Sequence, residues 1–449
     1  MAGINLKKNI LMGGSIRLII IVFSFLCSLI SARYLGVELK GQYSYLITIG
    51  SFLWMILDLG IYRSYPYLIR KYPDKLNNLF MWATLTFILE VIVLSALGLS
   101  LINVWSRIMD YNFKPEYILL FVGYIALSKY FMQLDSIYLG MDKVIIQSLG
   151  NVINSGLCLL FFLLGFIFLR NADRLTVILG STLMASSFAI FYYIYNYKPG
   201  SLNKGLDLKF IYSSYGFGIR VFLSSIIIML LIRVDIILIK KMLGFREVGI
   251  YSLSAHIVDM LQVASNIVGG YLFVKLSDTE DDFAKWQVMK KIMMLFGAFL
   301  TVANLAFIIF GKFLFRVLYG VDFVPAYSVY LWLIPASYGL SFGSFFNNYL
   351  NSKGFPPITI LIPAISLGLN IGLNLLMIPR WGMVGAAIAS SIAYLLWFFL
   401  IILYEQRKTK GAMLPVLIPS KQDWKEFWEE GKATLNTALS HLRKNKKTN

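Results

Sequence analysis

The 449 residues are 58% hydrophobic and only 14% charged, whereas a typical soluble domain is about 45–50% apolar and about 25% charged. This composition excludes a water-soluble domain and indicates a membrane protein, because so much apolar surface could not be buried. The formal net charge of +18 would suggest nucleic-acid binding in a soluble chain. Here the basic residues lie mainly in short loops and the last 45 residues, so membrane topology explains them and no nucleic-acid partner is expected.

Twelve apolar stretches are long enough to cross a bilayer, since a helix needs about 20 apolar residues to span about 30 Å of hydrocarbon. None shows the alternation of a strand, so the chain is predicted to be an all-α integral membrane protein. The predicted spans are 14–34, 43–62, 79–104, 116–138, 144–169, 174–197, 211–239, 248–274, 288–310, 327–350, 357–378 and 383–404.

The distribution of Lys and Arg predicts the orientation, because cytoplasmic loops are enriched in these residues. With both termini in the cytoplasm, 25 basic residues fall on the cytoplasmic side and 11, among them Lys40, on the other. We therefore expect a multi-pass protein in the bilayer with both ends inside the cell.

An internal repeat divides the chain into two halves. The segment Leu35–Ser44 matches Leu243–Ser252, since both read LG, four residues, G, one residue, YS, at the exit of the first span of a half. Six spans per half preserve orientation, so the repeat predicts two parallel-related bundles with a cavity between them. The predicted units are an N-terminal bundle at 1–200, a C-terminal bundle at 201–410 and a basic amphipathic cytoplasmic tail at 411–449.

Polar residues recur at helical spacing within several spans, which places them on one face of each helix. Such faces either bind helices together or line a wet cavity, and we expect a cavity lined by Ser24, Ser28, Ser31, Ser224, Ser337, Ser341, Ser344, Asn348 and Asn351. Arg17 and Arg220 lie near the entry of the matched first spans, and a guanidinium binds phosphate bidentately. We predict a diphosphate site at this pair. Arg33, Arg233 and Lys129 are equally well explained as side chains that snorkel near the membrane interfaces.

Acidic residues within the spans suggest coupling to an ion. Asp58, Glu90, Asp135 and Asp259 could bind and release H⁺ or Na⁺ during transport. The alternative is that they are fixed partners of nearby bases, such as Asp135 with Lys129 or Asp259 with Arg220. The chain has only two histidines and two cysteines and lacks a phosphate-binding G-x-x-x-x-G-K-[ST] loop. No metal site, catalytic residue or organic cofactor is expected.

Several motifs, taken in order, resemble those of bacterial polysaccharide flippases. The N-terminal half contributes Ser31–Gly36, Gly41–Ser44 and Asp58–Ile61, and the C-terminal half contributes Arg233–Asp235, Leu243–Gly244, Gly249–Ser252, Asn370–Asn374, Ile378–Pro379 and Gly382–Ser390. These flippases belong to the multidrug/oligosaccharidyl-lipid/polysaccharide (MOP) exporter superfamily.

The resemblance implies a MATE-like fold of two pseudo-symmetric six-helix bundles around a central cavity in the bacterial cytoplasmic membrane. It implies a non-enzymatic flippase that moves polyprenyl-diphosphate-linked oligosaccharide to the outer leaflet by alternating access, for surface polysaccharide biosynthesis. Glycan polymerases or glycosyltransferases would be its partners.

Four other functions stay open, and one of them is a non-transporting membrane scaffold, which would not need so many intramembrane charges. A drug or organic-cation antiporter of the superfamily would have an acidic cavity, and a peptidoglycan-precursor flippase would have two further spans. A membrane glycan polymerase or ligase would have a large outer loop.

Overall fold

The computed structural model describes residues 2–108, 111, 114–169, 171–197, 206–277, 279, 281–353 and 356–429, without the side chains of 2–15, 17, 108, 217, 220, 270, 271, 273, 274, 277 and 352. In this part of the chain the secondary structure is helical and no strand occurs. The main helices are α1 Ala2–Asp58, α2 Ile61–Lys71, α3 Leu76–Ser100, α4 Ile102–Ile108, α5 Pro115–Gly140, α6 Val144–Phe168, α7 Arg174–Asn196, α8 Leu208–Met242, α9 Phe245–Ser277, α10 Asp282–Leu314, α11 Ala326–Ser352, α12 Ile358–Lys408 and α13 Met413–Leu417.

Nine helical stretches of the described chain are long and apolar enough to cross a membrane. Two of these, of 41 and 51 residues, would reach about 60 and 75 Å if straight, at about 1.5 Å per residue. Each is bent at a glycine and crosses about 30 Å of hydrocarbon twice. With α9, which packs against α1 and α11, they complete the twelve crossings that the sequence predicts.

The connections within α1 and α12 are shorter than predicted. In place of loops at 35–42 and 379–382, the chain stays helical except at Gly36 (φ 73°) and Gly382 (φ 58°). Side-chain-bearing residues rarely adopt positive φ, so glycine allows one residue to make the whole turn. The second predicted span also ends early, at Asp58, and the separate amphipathic helix α2 follows it.

The two halves meet about a pseudo-two-fold axis that the sequence repeat marks. A Cβ at Gly41 would lie 1.8 Å from the carbonyl oxygen of Phe245, and one at Gly249 would lie 2.0 Å from that of Val37. Ser44 Oγ donates to Ser252 Oγ over 3.1 Å, so equivalent residues of the repeat pair with each other. This α1–α9 crossing closes the membrane face opposite the termini, which we call the kink face.

Ion pairs connect the helix ends at the other face, which carries the termini and which we call the terminal face. Each pair joins two segments that the sequence assigns to the same side: Arg70 with Asp142 (2.6 Å), Lys75 with Asp207 (2.7 Å), Lys290 with Asp423 (2.6 Å) and Lys353 with Glu405 (3.3 Å). The hydrogen bond from Lys75 lowers the pKa of Asp207, which caps α8 by accepting from the backbone N–H of Phe210. Polar contacts therefore hold neighbouring helix ends together at this face.

Candidate functional site

Two connected cavities lie between the bundles. The larger, of about 1140 Å³, is the vestibule, and its lining residues at the ends of α8, α11 and α12 place it toward the terminal face. The smaller, of about 330 Å³, is the inner chamber, which lies deeper, against the α1–α9 crossing. Met229, Arg233 and Asp259 line both. These three residues therefore form the neck between the cavities.

An ion pair spans the neck. Arg233 of α8 donates to Asp259 of α9 over 2.8 Å, with side chains 31% and 25% exposed. Arg233 therefore lines the cavities in an ion pair rather than snorkelling to a membrane interface. Arg220, which the sequence suggested as a partner of Asp259, lies outside the described side chains. Because the pair borders both cavities, a solute that enters the inner chamber from the vestibule passes a guanidinium whose remaining donors are available for an anion.

The inner chamber is polar and carries a cation that the sequence placed in a loop. Lys40 is buried and donates to Ser31 Oγ over 2.8 Å. His256 also lines the chamber, and its buried Nε2 has no hydrogen-bond partner. Buried polar atoms without partners are uncommon in native proteins, so the chamber is suited to a hydrated or hydrogen-bonding ligand. The sequence placed Lys40 in a loop because hydropathy does not show that the helix continues past Gly36.

The predicted serine and asparagine faces divide between cavity and packing. Ser24, Ser28 and Ser31 line the inner chamber, and Ser224, Ser344, Asn348 and Asn351 line the vestibule. The structure places the other two predicted lining residues in the protein interior. Ser337 accepts from Asn304 Nδ2 of α10, and Ser341 is fully buried where its carbonyl oxygen accepts from Ser265 of α9. The same face of α11 is packed near the kink face and free near the terminal face, because the neighbouring helices diverge.

The predicted diphosphate pair, Arg17 and Arg220, lies outside the described side chains. Their backbones belong to α1 and α8, so they occupy the first helix of each half. The pair stays a prediction. Within the described lining, the cations are Lys40, Arg63 and Arg233, and the acid is Asp259.

The other predicted ion-coupling acids are held by structural contacts away from the cavities. Asp58 is fully buried and accepts from the backbone N–H of Tyr62 (3.2 Å) and from Gln133 (2.8 Å). Glu90 forms an ion pair with Lys129, which the sequence suggested as a partner of Asp135.

Asp135 lies in a polar cluster of the N-terminal bundle. It accepts from Gln147 (2.9 Å), Asn151 (2.6 Å) and Tyr193 (3.0 Å). Of the four predicted acids, Asp259 is the one among the described cavity residues.

A buried carboxylate that sequence reasoning did not select lies in the C-terminal bundle. Asp235, on α8, is 1% exposed. It accepts from Tyr251 (2.6 Å), Ser390 (2.5 Å) and Asn374 (3.2 Å), and none of these partners is charged. The buried Oδ1 of Asn374 has no partner. The recurrence of Asn370 and Asn374 at i, i+4 was a usable signal, but only the fold shows that it faces Asp235.

The arrangement can be compared with known proteins. The family model described as polysaccharide biosynthesis protein matches residues 6–273. An uncharacterized membrane protein of Methanocaldococcus jannaschii is 27% identical over 224 residues, which are 47% of this chain and 43% of that protein. The matched region therefore spans less than half of this relative.

Solved structures share the fold at low sequence identity. The lipid II flippase MurJ in an inward closed conformation has a TM-score of 0.70 at 12% identity, covering 88% of this chain and 87% of that one. The Vibrio cholerae MATE transporter VcmN has a TM-score of 0.65 at 13% identity, covering 91% of this chain and 98% of that one. A MOP superfamily transporter from Pyrococcus furiosus, described as having a binding pocket of reverse polarity, has a TM-score of 0.63 at 14% identity, covering 90% of this chain and 96% of that one.

These similarities agree with the twelve crossings, the pseudo-two-fold axis and the cavity between the bundles. The family match extends over more than half of the chain and includes the first bundle and the α1–α9 crossing. The chain therefore belongs to the polysaccharide biosynthesis protein family, and it shares the fold of the MurJ and MATE structures.

Proposed function

We propose that this protein flips a polyprenyl-diphosphate-linked oligosaccharide across the bacterial cytoplasmic membrane for surface polysaccharide biosynthesis. The observation that carries the proposal is the charge of the cavities. Three cations, Lys40, Arg63 and Arg233, share the described lining with the single carboxylate of Asp259. An excess of cations suits a diphosphate and disfavours the organic cations of a drug antiporter, because like charges in a low-dielectric cavity repel strongly.

The vestibule suits the glycan part of such a substrate. Amide side chains line it at Asn266, Asn347, Asn348, Asn351 and Gln262, together with the hydroxyls of Ser224, Ser225, Ser344 and Thr359. Amides and hydroxyls each donate and accept hydrogen bonds, as sugar hydroxyls do. The indole of Trp397 adds an apolar surface. Such a lining can hold different sugars without demanding one fixed pattern of hydroxyls.

The diphosphate would bind at the neck, with Arg233 as its described partner and Arg17 and Arg220 as predicted ones. The distribution of Lys and Arg supports termini in the cytoplasm. Because the vestibule lies toward the terminal face, we infer that the substrate loads from the cytoplasmic side. The lipid tail would remain in the bilayer. Enzymes that assemble the lipid-linked unit and polymerise it on the other side, glycosyltransferases and a glycan polymerase, are the expected partners.

The test removes both charges of the neck. The double variant Arg233→Gln/Asp259→Asn keeps two polar side chains but has no cation, and the matched control Arg70→Gln/Asp142→Asn removes an exposed pair, with side chains 61% and 71% exposed, at the terminal face. A charge-assisted hydrogen bond contributes about 1.5–3 kcal/mol. We therefore expect about 10- to 150-fold slower flipping of a polyprenyl-diphosphate oligosaccharide in proteoliposomes, with the control unchanged.

Two outcomes contradict the proposal. Equal flipping by both double variants would remove the neck from the mechanism. A parent protein that flips no lipid-linked oligosaccharide, fails to restore surface glycan in cells lacking their own flippase, and raises drug resistance would favour the antiporter.

We further propose Asp235 as the residue that couples transport to H⁺ or Na⁺, in preference to the four acids selected from the sequence. A buried carboxylate whose hydrogen-bond partners are all neutral needs a proton or a cation, and the partner-free Oδ1 of Asn374 supplies a second oxygen. Asp235→Asn should abolish the dependence of flipping on the ion gradient while leaving the protein folded. Glu90→Gln with Lys129→Met, which removes a charge pair elsewhere, should leave that dependence intact. If Asp235→Asn kept the dependence on the ion gradient and the Glu90/Lys129 double variant lost it, the coupling role would belong to Glu90 instead.

A further inference from the structure

The only two cysteines of the chain meet at the wall of the inner chamber. Cys27 lies on α1 and Cys158 on α6. The thiol of Cys27 is 4.0 Å from the carbonyl oxygen of Ser155, one helical turn before Cys158. Helical side chains lean over the preceding turn toward the N-terminus, so the thiol of Cys158 lies over the same position.

The helices that carry these cysteines touch directly at this level. A Cβ on Gly156, next to Ser155, would lie 3.2 Å from the ring of Phe23. A disulfide requires Cβ atoms about 3.5–4.5 Å apart, which is possible only where helices approach this closely. The pair therefore has the setting that a covalent bridge between α1 and α6 needs.

Small solutes can reach the pair. Both cysteines are partly exposed and line the inner chamber, which meets the vestibule at Arg233 and Asp259. The chamber's 330 Å³ corresponds to about 11 waters at about 30 Å³ each. Lys40 lines the same chamber and can act as counter-ion to a thiolate formed there. Among the described residues no cluster of three His, Cys, Asp or Glu side chains could hold a metal ion.

We propose that Cys27 and Cys158 form a redox-active dithiol that small hydroperoxides oxidise through the cavity. One thiolate attacks the peroxide, which gives a sulfenic acid and releases water or an alcohol. The second thiol then displaces the sulfenic hydroxyl as water, and the S–S bond forms. Two thiols and one hydroperoxide thus become a disulfide, one water and one water or alcohol. The bridge ties the first segment of α1 to α6, and an added thiol reductant reverses it.

The test uses the full-length protein in lipid nanodiscs. After treatment with hydrogen peroxide, the remaining thiols are alkylated with a maleimide and the intact mass is measured. We expect two maleimide additions before oxidation, none after it, and two again after reduction. Cys27→Ser and Cys158→Ser are matched controls. Each keeps one thiol in the same chamber, and each should give a sulfenic acid that dimedone traps.

A second probe tests proximity without oxidation. Phenylarsine oxide binds two neighbouring thiols. One equivalent should therefore protect both cysteines of the parent from maleimide, but it should not protect the remaining cysteine of either single variant. Retention of two maleimide-reactive thiols after peroxide, or lack of arsenical protection in the parent, would overturn the proposal. Oxidation of each single variant to a sulfenic acid with no disulfide in the parent would also overturn it. None of these readouts uses transport, so the result is independent of the proposed flippase function.

Discussion

Alanine at Gly41 or Gly249 should force the two bundles apart at the kink face. A Cβ at Gly41 would lie 1.8 Å from Phe245 O, and one at Gly249 would lie 2.0 Å from Val37 O, whereas ordinary contact begins at 3.4 Å. The helices would have to separate by the differences, 3.4 − 1.8 = 1.6 Å and 3.4 − 2.0 = 1.4 Å. The obstructing atoms belong to the backbone, so no side chain can rotate away to make room.

Overpacking of a tight helix contact costs about 1–3 kcal/mol, and each 1.4 kcal/mol is a tenfold change in an equilibrium. The ratio of the state with the kink face closed to states with it open should therefore fall by about 5- to 150-fold. Spin labels at the exposed positions 38 and 246, in a protein without Cys27 and Cys158, should show a longer and broader distance distribution in Gly41→Ala.

The controls are glycines where an added Cβ meets no atom within 4 Å, Gly180 on α7 and Gly372 on α12. Gly180→Ala and Gly372→Ala should keep the parent distance, because they change helix propensity without changing packing. The reasoning would be refuted if Gly41→Ala and Gly249→Ala were indistinguishable from these controls both in label distance and in thermal stability.

Two further predictions concern charge pairs. The side chains of Lys129 and Glu90 are 3% and 14% exposed, so Lys129→Met leaves a buried carboxylate without its partner and should lower the free energy of unfolding by about 3–5 kcal/mol. The double variant Lys129→Met/Glu90→Gln should recover most of the lost thermal stability. A double variant as unstable as the single one would contradict this. Lys290 lowers the pKa of Asp423 to about 2, below the ordinary value of about 3.9, so the contact that holds the tail on α10 should be complete above about pH 4 and lost as the pH falls toward 2. Protease cleavage of the tail should be pH-independent above that range in the parent and faster at neutral pH in Lys290→Met. The control is Lys312→Met, which removes a lysine at the opposite end of α10.

Much of the architecture follows from local sequence. Transfer of a helix from water to hydrocarbon depends on about 20 consecutive residues, so hydropathy alone predicts the spans and their pairing into halves. The repeat around Gly41 and Gly249 also predicts the two-fold relation. Local signals misplace the connections, however, because a single glycine at Gly36 or Gly382 can replace a loop, and hydropathy does not distinguish a bent helix from two helices.

The site depends on tertiary structure. Helical periodicity shows that Ser337 and Asn348 share a face of α11, but only the positions of α9 and α10 decide that the first is packed and the second lines the vestibule. In the same way, the partner of Asp259 is Arg233, and Lys40 faces the chamber, because residues on different helices come together in ways that spacing along one helix cannot specify. The sequence by itself determined which residues enter the membrane and on which helical face they lie. The tertiary structure decided which of those faces meet water, a charge or another helix, since that depends on how the helices cross rather than on the period of any one of them.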